Sequence, residues 1–110
     1  MRQGDIYLAD LHPTKGSEQA GRRPIVIVSG NMMNEHFEVV IVCPISSVVK
    51  NFEGCVVLGK GKDHGLSKDS EVITFQIRAI SKSRLKKHLG SASEKELTAI
   101  KKGLFTILTY

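Results

Sequence analysis

Several features that define well-known classes of protein are missing from this sequence. No apolar stretch approaches the roughly 20 residues that span a bilayer, and the first residues, MRQGD, do not resemble a signal peptide. There are only two cysteines, Cys43 and Cys55, and neither has the CxxC or Cys/His spacing of a metal or redox site. We therefore expect a soluble, cytoplasmic protein with reduced core thiols, no membrane association and neither zinc nor another cofactor.

Length and charge narrow the class further. With 110 residues, of which 41% are hydrophobic, the chain can build one core and has no room for a second domain, so one domain over residues 1–110 is predicted. Sixteen Lys and Arg against eleven Asp and Glu give a formal net charge of +5. This excess favours a polyanionic partner, and either a nucleic acid or an acidic protein segment would satisfy it.

Hydrophobic patterning predicts a mainly β protein of the α+β kind. Alternating or β-branched segments occur around residues 6–8 and at residues 24–29, 38–45, 55–58, 71–75 and 76–80, which gives five or six short strands. No helix-length pattern separates the early strands, so antiparallel hairpins are favoured over βαβ crossovers. We expect a small closed or half-closed barrel.

The C-terminal residues have a different period. Ser93 and Glu96 fit a capping box, and apolar residues recur at three- and four-residue spacing at positions 97, 100, 104, 107 and 108. This predicts an amphipathic helix, which Gly103 should weaken by about 1 kcal/mol relative to Ala. Residues 84–89 fit either a strand or a helix.

A polar, Gly- and Pro-rich segment separates the first two strands. It covers about 15 residues, from 10 to 24, whereas hairpin loops usually have roughly 2–5 residues. So long a connection in a small domain is typical of a binding or active-site loop. A disordered surface excursion is the alternative.

This segment carries a resemblance to a known family. GDIY at residues 4–7 and PTKGSEQAGRRP at residues 13–24 resemble the opening of the MazF/PemK toxin ribonucleases, and CPIS at 43–46 and QIRAI at 76–80 continue the likeness over almost the full length. The resemblance implies an SH3-like small barrel, of the CcdB/MazF type, with a C-terminal helix. It also implies a homodimeric toxin that cleaves single-stranded RNA sequence-selectively and without metal, and so inhibits translation and growth. Its partner would be an antitoxin whose disordered, acidic C-terminal segment lies across the RNA-binding surface.

Metal-free RNA cleavage needs a base for the 2′-hydroxyl proton, a donor for the phosphoryl oxygens and an acid for the leaving 5′-oxygen. Arg23 matches the family's catalytic Arg, and Pro24 restricts it to extended backbone. Ser46 stands where the family typically has a catalytic Thr, and a role for neighbouring Ser47 stays open. Glu18 is the candidate base, although it could instead shape the loop.

Further residues are candidates for RNA binding. They are Ser17, Gln19, Arg22, Ser47, Phe75, Gln76 and Arg78. Phe75 stands where many relatives have an acidic residue, so their acid/base pair cannot be carried over, but its ring could stack on an unpaired base. His12, in the long loop, is the one histidine worth testing as a proton carrier. The later lysines, Lys68 among them, could form an electrostatic track, and none is assigned individually.

Two other functions compete with this prediction. A CcdB-like DNA gyrase inhibitor would share the fold and an antitoxin but act by binding a protein, and Arg23 and Ser46 argue against it. A degenerate relative that binds RNA without cutting it is the second alternative, to which Ser46 and Phe75 give some weight. Activity on purified RNA in the absence of gyrase would separate the nuclease from the gyrase inhibitor, and RNA binding without cleavage across many sequences would support the degenerate relative.

Overall fold

The computed structural model describes residues 1–11 and 21–110. Three predicted site residues, Ser17, Glu18 and Gln19, lie outside the described residues, and so does His12. Within the two described ranges, no helix is long and apolar enough to cross a membrane.

The described chain contains seven strands and two α-helices. They are β1 (Asp5–Asp10), β2 (Arg22–Ile27), α1 (Asn31–His36), β3 (Val39–Ser46), β4 (Val56–Leu58), β5 (Ser70–Val72), β6 (Arg78–Ser81), β7 (Leu85–Ser91) and α2 (Glu94–Thr109). The strands form one antiparallel sheet in the order β4-β5-β3-β2-β1-β7, and β6 pairs with β3 beside this path.

Strand β3 is the centre of the sheet. Val42 pairs with Ile27 of β2 and also with Arg78 of β6. At the end of β3, Ser46 pairs with Glu71 of β5. Because one strand of eight residues joins three neighbours, the sheet curls on itself into a half-barrel. This confirms the predicted mainly β, antiparallel, half-closed barrel with a C-terminal helix.

The central strands are buried on both faces, which explains their uninterrupted β-branched runs. Val26 and Cys43 belong to one hydrophobic cluster, which also contains Ile100 of α2. Their neighbours Ile25 and Val42 belong to a second cluster on the other side. Successive residues of a strand point to opposite faces, so both clusters draw on the same two strands.

Helix α2 is fixed at its start by side-chain hydrogen bonds. Ser93 and Glu96 form the predicted capping box. The same Glu96 carboxylate accepts a hydrogen bond from Nε2 of His64 at 2.8 Å, and Nδ1 of His64 lies 2.6 Å from the carbonyl oxygen of Gly59. Both ring nitrogens face acceptors, so the arrangement suits a protonated imidazole that donates to each.

The ionisation of this pair follows from its surroundings. Burial by itself would lower the pKa of His64, but the hydrogen bonds to Glu96 and Gly59 outweigh it, and the pKa is raised. Burial by itself would raise the pKa of Glu96, but hydrogen bonds from Ser93 and His64 outweigh it, and the pKa is lowered. The pair therefore ties the β4–β5 connection to the helix as an ion pair.

Gly103 has a role that helix propensity did not reveal. A Cβ added at Gly103 would lie 2.1 Å from the carbonyl oxygen of Gly54, closer than any Cβ contact tolerates. Gly54 has a positive φ of 82° and sits in the turn before β4. Gly103 lies within α2, as its predicted propensity cost requires, and the structure adds a second role, because the glycine is what allows the helix to pack on this turn.

The structure also corrects several element boundaries. Seven strands are present in the described ranges, where five or six were predicted, because the unsettled segment at 84–89 becomes most of β7. The predicted strand at 71–75 ends at Val72, and Thr74–Gln76 form a 3-10 turn. Helix α1 was not predicted, since its six residues are too few to show a helical period. Both cysteines are free thiols, and Cys43 is buried.

Candidate active site

Arg23 lies at the start of β2, opposite Ala9 of β1, and is partly buried. Its side chain borders a cavity of about 140 Å³. We call this the cationic cavity, and its polar lining consists of Arg23, Ser47, Ser67, Lys68 and Ser70. Two cations and the hydroxyl groups of Ser47 and Ser67 around so small a space are donors of the kind that bind a phosphate group.

Part of the lining comes from the connection between β4 and β5. Ser70 is buried, and its hydroxyl donates to the carbonyl oxygen of Lys68 at 2.9 Å, which holds the backbone of Lys68 in place. Gly65 has a φ of 71°, and a Cβ there would lie 2.2 Å from the carbonyl oxygen of Leu89. This close approach brings the connection against β7. Lys68 was one lysine among several in the sequence, and only the fold singles it out.

A second depression lies beside the first. We call it the aromatic groove; it has a volume of about 380 Å³ and is lined by Ser46, Val48, Lys50, Phe52, Ile73, Phe75 and Gln76. The rings of Phe52 and Phe75 meet edge to face, with centroids 5.2 Å apart and an interplanar angle of 90°. Both rings are partly open to solvent, Phe52 at 41% and Phe75 at 49% exposure.

The two serines at the end of β3 line different depressions. Ser47 faces the cationic cavity with Arg23, whereas Ser46 faces the aromatic groove. The hydroxyl of Ser46 accepts a hydrogen bond from the amide of Val48 at 3.1 Å and lies 3.3 Å from the carbonyl oxygen of the same residue. The structure therefore brings Arg23 together with Ser47, and does not bring Ser46 into the same cavity.

The remaining predicted residues are dispersed. Gln76 and Phe75 share the aromatic groove, as their sequence proximity suggests. Arg22 is exposed at the first position of β2, next to the cationic cavity in sequence but outside its lining. Arg78 lies in β6, is partly buried, and lines neither depression.

Glu71 supports one wall of the aromatic groove from the interior, a role that the sequence did not reveal. It is fully buried in β5, and its two carboxylate oxygens accept hydrogen bonds from the backbone amides of Lys50 at 2.8 Å and Phe52 at 2.9 Å. Asn51 between them has a positive φ of 55°. Glu71 therefore holds the segment 50–52 in a fixed turn. A carboxylate within an apolar strand segment was the one available signal, because such a group is buried only when it is hydrogen bonded.

Metal ligands and thiol nucleophiles are the other chemical groups to consider among the described residues near the site. Among residues 1–11 and 21–110, no three His, Cys, Asp or Glu side chains cluster as metal ligands would. Burial, and secondarily the neighbouring Cys55, raises the pKa of Cys43 to about 12, so this thiol stays protonated and is no nucleophile. The described residues thus provide cations and hydroxyl groups in one depression and aromatic rings in the other.

Comparison with solved structures identifies the class of fold. A crystal structure of MazF from Deinococcus radiodurans superposes with a TM-score of 0.80 and 25% identity, covering 99% of this chain and 96% of that one. An endoribonuclease from a mycobacterial species, in complex with its cognate antitoxin, superposes with a TM-score of 0.81 at 24% identity, over 98% of this chain and 94% of that chain. The half-barrel with a C-terminal helix is thus the fold of MazF toxins.

The family follows from the sequence comparisons. The model of the PemK-like, MazF-like toxins of type II toxin–antitoxin systems matches residues 2–108. Endoribonuclease MazF from Staphylococcus saprophyticus is 40% identical over 102 residues, which cover 91% of this chain and 84% of that protein. The chain belongs to the family of PemK-like, MazF-like toxins of type II toxin–antitoxin systems. The predicted family is confirmed, and the gyrase-inhibitor alternative is not favoured.

Proposed function

We propose that this toxin is a metal-independent endoribonuclease that cleaves single-stranded RNA sequence-selectively in the cytoplasm, acting as a homodimer of single-domain chains over residues 1–110. The observation that carries the proposal is the cationic cavity beside the aromatic groove. Ser46 and Ser47, whose Cα atoms are about 3.8 Å apart, line one depression each. We assign a phosphate of the RNA to the first depression and a base of the same strand to the second. Relatives named Endoribonuclease MazF support this reading.

The proposed reaction uses the nucleophile that RNA itself supplies. The 2′-oxygen forms a bond to the adjacent phosphorus while the bond from phosphorus to the 5′-oxygen breaks, which yields a 2′,3′-cyclic phosphate and a 5′-hydroxyl end. A base takes the 2′-hydroxyl proton, and an acid returns a proton to the 5′-oxygen. We assign the base to Glu18 of the long loop.

The residues of the cationic cavity stabilise the charge that builds on the phosphoryl oxygens. Arg23 can bridge two of these oxygens with its planar guanidinium, and it stays charged at any relevant pH. Lys68 adds a second cation to the lining of the cavity. Ser47 supplies a hydroxyl donor there, and Ser46, which lines the aromatic groove, is the alternative donor. Preorganised donors of this kind usually contribute the largest share of catalysis.

Recognition of the RNA is assigned to the surrounding surface. In the aromatic groove, Phe75 stacks on an unpaired base and Gln76 reads its edge, because an amide offers both donors and an acceptor. Arg22 and Arg78 contact backbone phosphates. We assign Ser17 and Gln19 of the long loop to the same surface.

The proposed regulator is a cognate antitoxin. One similar structure contains an endoribonuclease with its cognate antitoxin. In this chain the formal net charge of +5 and the cations of the cavity suit a disordered, acidic antitoxin segment that lies where RNA would bind. Such a segment would inhibit by competing for Arg23 and Lys68.

Cleavage mapping tests the proposal. Purified, EDTA-treated wild type, Arg23→Ala and the control Arg2→Ala, which removes an exposed arginine at the N-terminus, are incubated with a long and varied RNA, and the cut ends are sequenced. We expect wild type and Arg2→Ala to cut at one short recurrent sequence and Arg23→Ala to lose at least about 100-fold in rate. Absence of cutting by all three would refute the proposal, and a gyrase supercoiling assay would then test the CcdB-like function.

A further inference from the structure

The aromatic groove has two walls, and only one of them belongs to a segment with a family likeness. Phe75 and Gln76 form that wall, in the 3-10 turn before β6. The other wall is the segment 50–52, which carries Lys50 and Phe52. The residues of this segment belong to no family motif quoted above. The side chains of Lys50 and Phe52 are both exposed.

The segment 50–52 is held from the interior. Glu71 is 0% exposed, yet both of its carboxylate oxygens are used on the backbone of this one turn, at 2.8 Å to the amide of Lys50 and 2.9 Å to the amide of Phe52. A buried carboxylate is expensive in free energy unless its hydrogen bonds are satisfied, and here the turn satisfies them. The turn is therefore preorganised, in contrast to an ordinary surface loop.

Preorganisation gives the two rings a defined relation. Phe52 and Phe75 meet at 90° with centroids 5.2 Å apart, while about half of each ring stays open to solvent, at 41% and 49% exposure. A planar ligand in the groove can stack on the face of one ring and meet the other ring at its edge. Lys50 and Gln76 on the same rim supply a cation and an amide for the polar edge of that ligand.

We propose that the segment 50–52 is the second wall of a nucleobase subsite, with Phe52 as a base-stacking residue and Glu71 as the residue that positions it. The inference rests on the proposed function and deepens it. The ligand is one unpaired base of an RNA strand, because the groove combines two exposed aromatic rings with the cation of Lys50 and the amide of Gln76. Stacking supplies affinity, and the polar rim supplies the preference among bases.

A binding cycle tests Phe52. The probe is a short RNA containing the cleavage site mapped for wild type, made uncleavable by 2′-O-methylation at the cut nucleotide, together with versions that lack one base at a time. Wild type, Phe52→Ala and the control Phe37→Ala, which truncates a phenylalanine of similar exposure at 50%, are titrated with each RNA, after their melting curves confirm folding. Phe37 lies in the segment between α1 and β3, outside both depressions.

We expect one abasic position to weaken wild-type binding about 5- to 150-fold, as the loss of one base–aromatic stack should. The same abasic position should have a much smaller effect on Phe52→Ala, whereas Phe37→Ala should respond as wild type does. If the effects of Phe52→Ala and of every abasic position simply multiply, the ring touches no base and the inference is overturned, although the proposed function stands. If wild type neither binds nor cuts RNA, both fall together.

Glu71→Gln tests the positioning role. Glutamine keeps the shape but replaces one acceptor oxygen with an amide that cannot accept from the turn. We expect a weaker penalty at the same abasic position and a rise in KM with a smaller change in kcat, and we expect no further loss of discrimination when Phe52→Ala is added. A variant that is less stable but discriminates as wild type does would overturn the role of Glu71. If Glu71→Gln does not fold, the Phe52 cycle still decides the subsite.

Discussion

Gly103→Ala separates helix propensity from packing, because the two effects have opposite signs. Propensity alone predicts that alanine stabilises the interior of α2 by about 1 kcal/mol. The structure places the new Cβ 2.1 Å from the carbonyl oxygen of Gly54 and 3.1 Å from its carbon. These are backbone atoms, so the contact cannot be relieved by a change of rotamer.

The change in the free energy of unfolding depends on how far the Gly54 carbonyl and α2 must separate to accommodate the new methyl group. Forcing a methyl group into a well-packed contact costs about 1–3 kcal/mol. The same oxygen of Gly54 accepts a hydrogen bond from the hydroxyl of Thr74 at 2.9 Å, and displacing it would forfeit about 1 kcal/mol more. Subtracting the gain in propensity leaves a net loss in the free energy of unfolding of about 1–3 kcal/mol.

Urea unfolding at a fixed chain concentration measures this change. With an m-value of about 1–3 kcal/mol/M, we expect the midpoint of Gly103→Ala to fall by roughly 1 M at unchanged m. Gly61→Ala is the matched control, since a Cβ there meets nothing within 4 Å and its φ is not positive. Its midpoint should stay the same or rise slightly. A rise for Gly103→Ala would show that α2 does not pack on the turn at Gly54.

Three further predictions concern ionisation and the site. The raised pKa of His64 contributes stability that is full below its ordinary value of 6.5 and is lost as pH rises through the folded pKa. The lowered pKa of Glu96 contributes stability that is full above its ordinary value of 4.5 and is lost as pH falls through the folded pKa. The free energy of unfolding of wild type should therefore decrease as pH rises above 6.5, and His64→Gln should reduce this decrease. A variant with the pH dependence of wild type would contradict the ion pair. Lys68→Ala should reduce the salt dependence of RNA binding by about 0.7 in the slope of log K against log salt, and an unaltered slope would place Lys68 outside the phosphate path. Ser47→Ala should lower the single-turnover cleavage rate more than Ser46→Ala, and the reverse order would return the catalytic donor to Ser46.

Only some of the predicted site residues lie together in the structure. The sequence led to Arg23, because the Arg-Pro pair at residues 23–24 resembles the position of the family's catalytic arginine, and Pro24 restricts its backbone. It also led to Phe75 and Gln76, which share one turn and one groove. The pairing of Arg23 with Ser46 did not follow, because the strand ends there and the next residue, Ser47, turns into the cavity instead.

The amino-acid sequence by itself determined the local features of this protein. Strands arise where β-branched residues run together, α2 begins where Ser93 and Glu96 cap it, and the family motifs are contiguous stretches of chain. Each depends on residues within a few positions of one another, which is the range over which propensity and capping act.

Tertiary structure decided the features that join distant residues. Gly103 meets Gly54, Glu71 holds the turn at Phe52, and Lys68 lines the same cavity as Arg23. None of these pairs has a sequence signature, because each joins distant residues that meet only when the curled sheet, its connections and α2 pack together. From the sequence, Gly103 is only a poor helix former, Glu71 is a charged residue in an apolar strand and Lys68 is one of many lysines. Their roles depend on neighbours that only the tertiary structure provides.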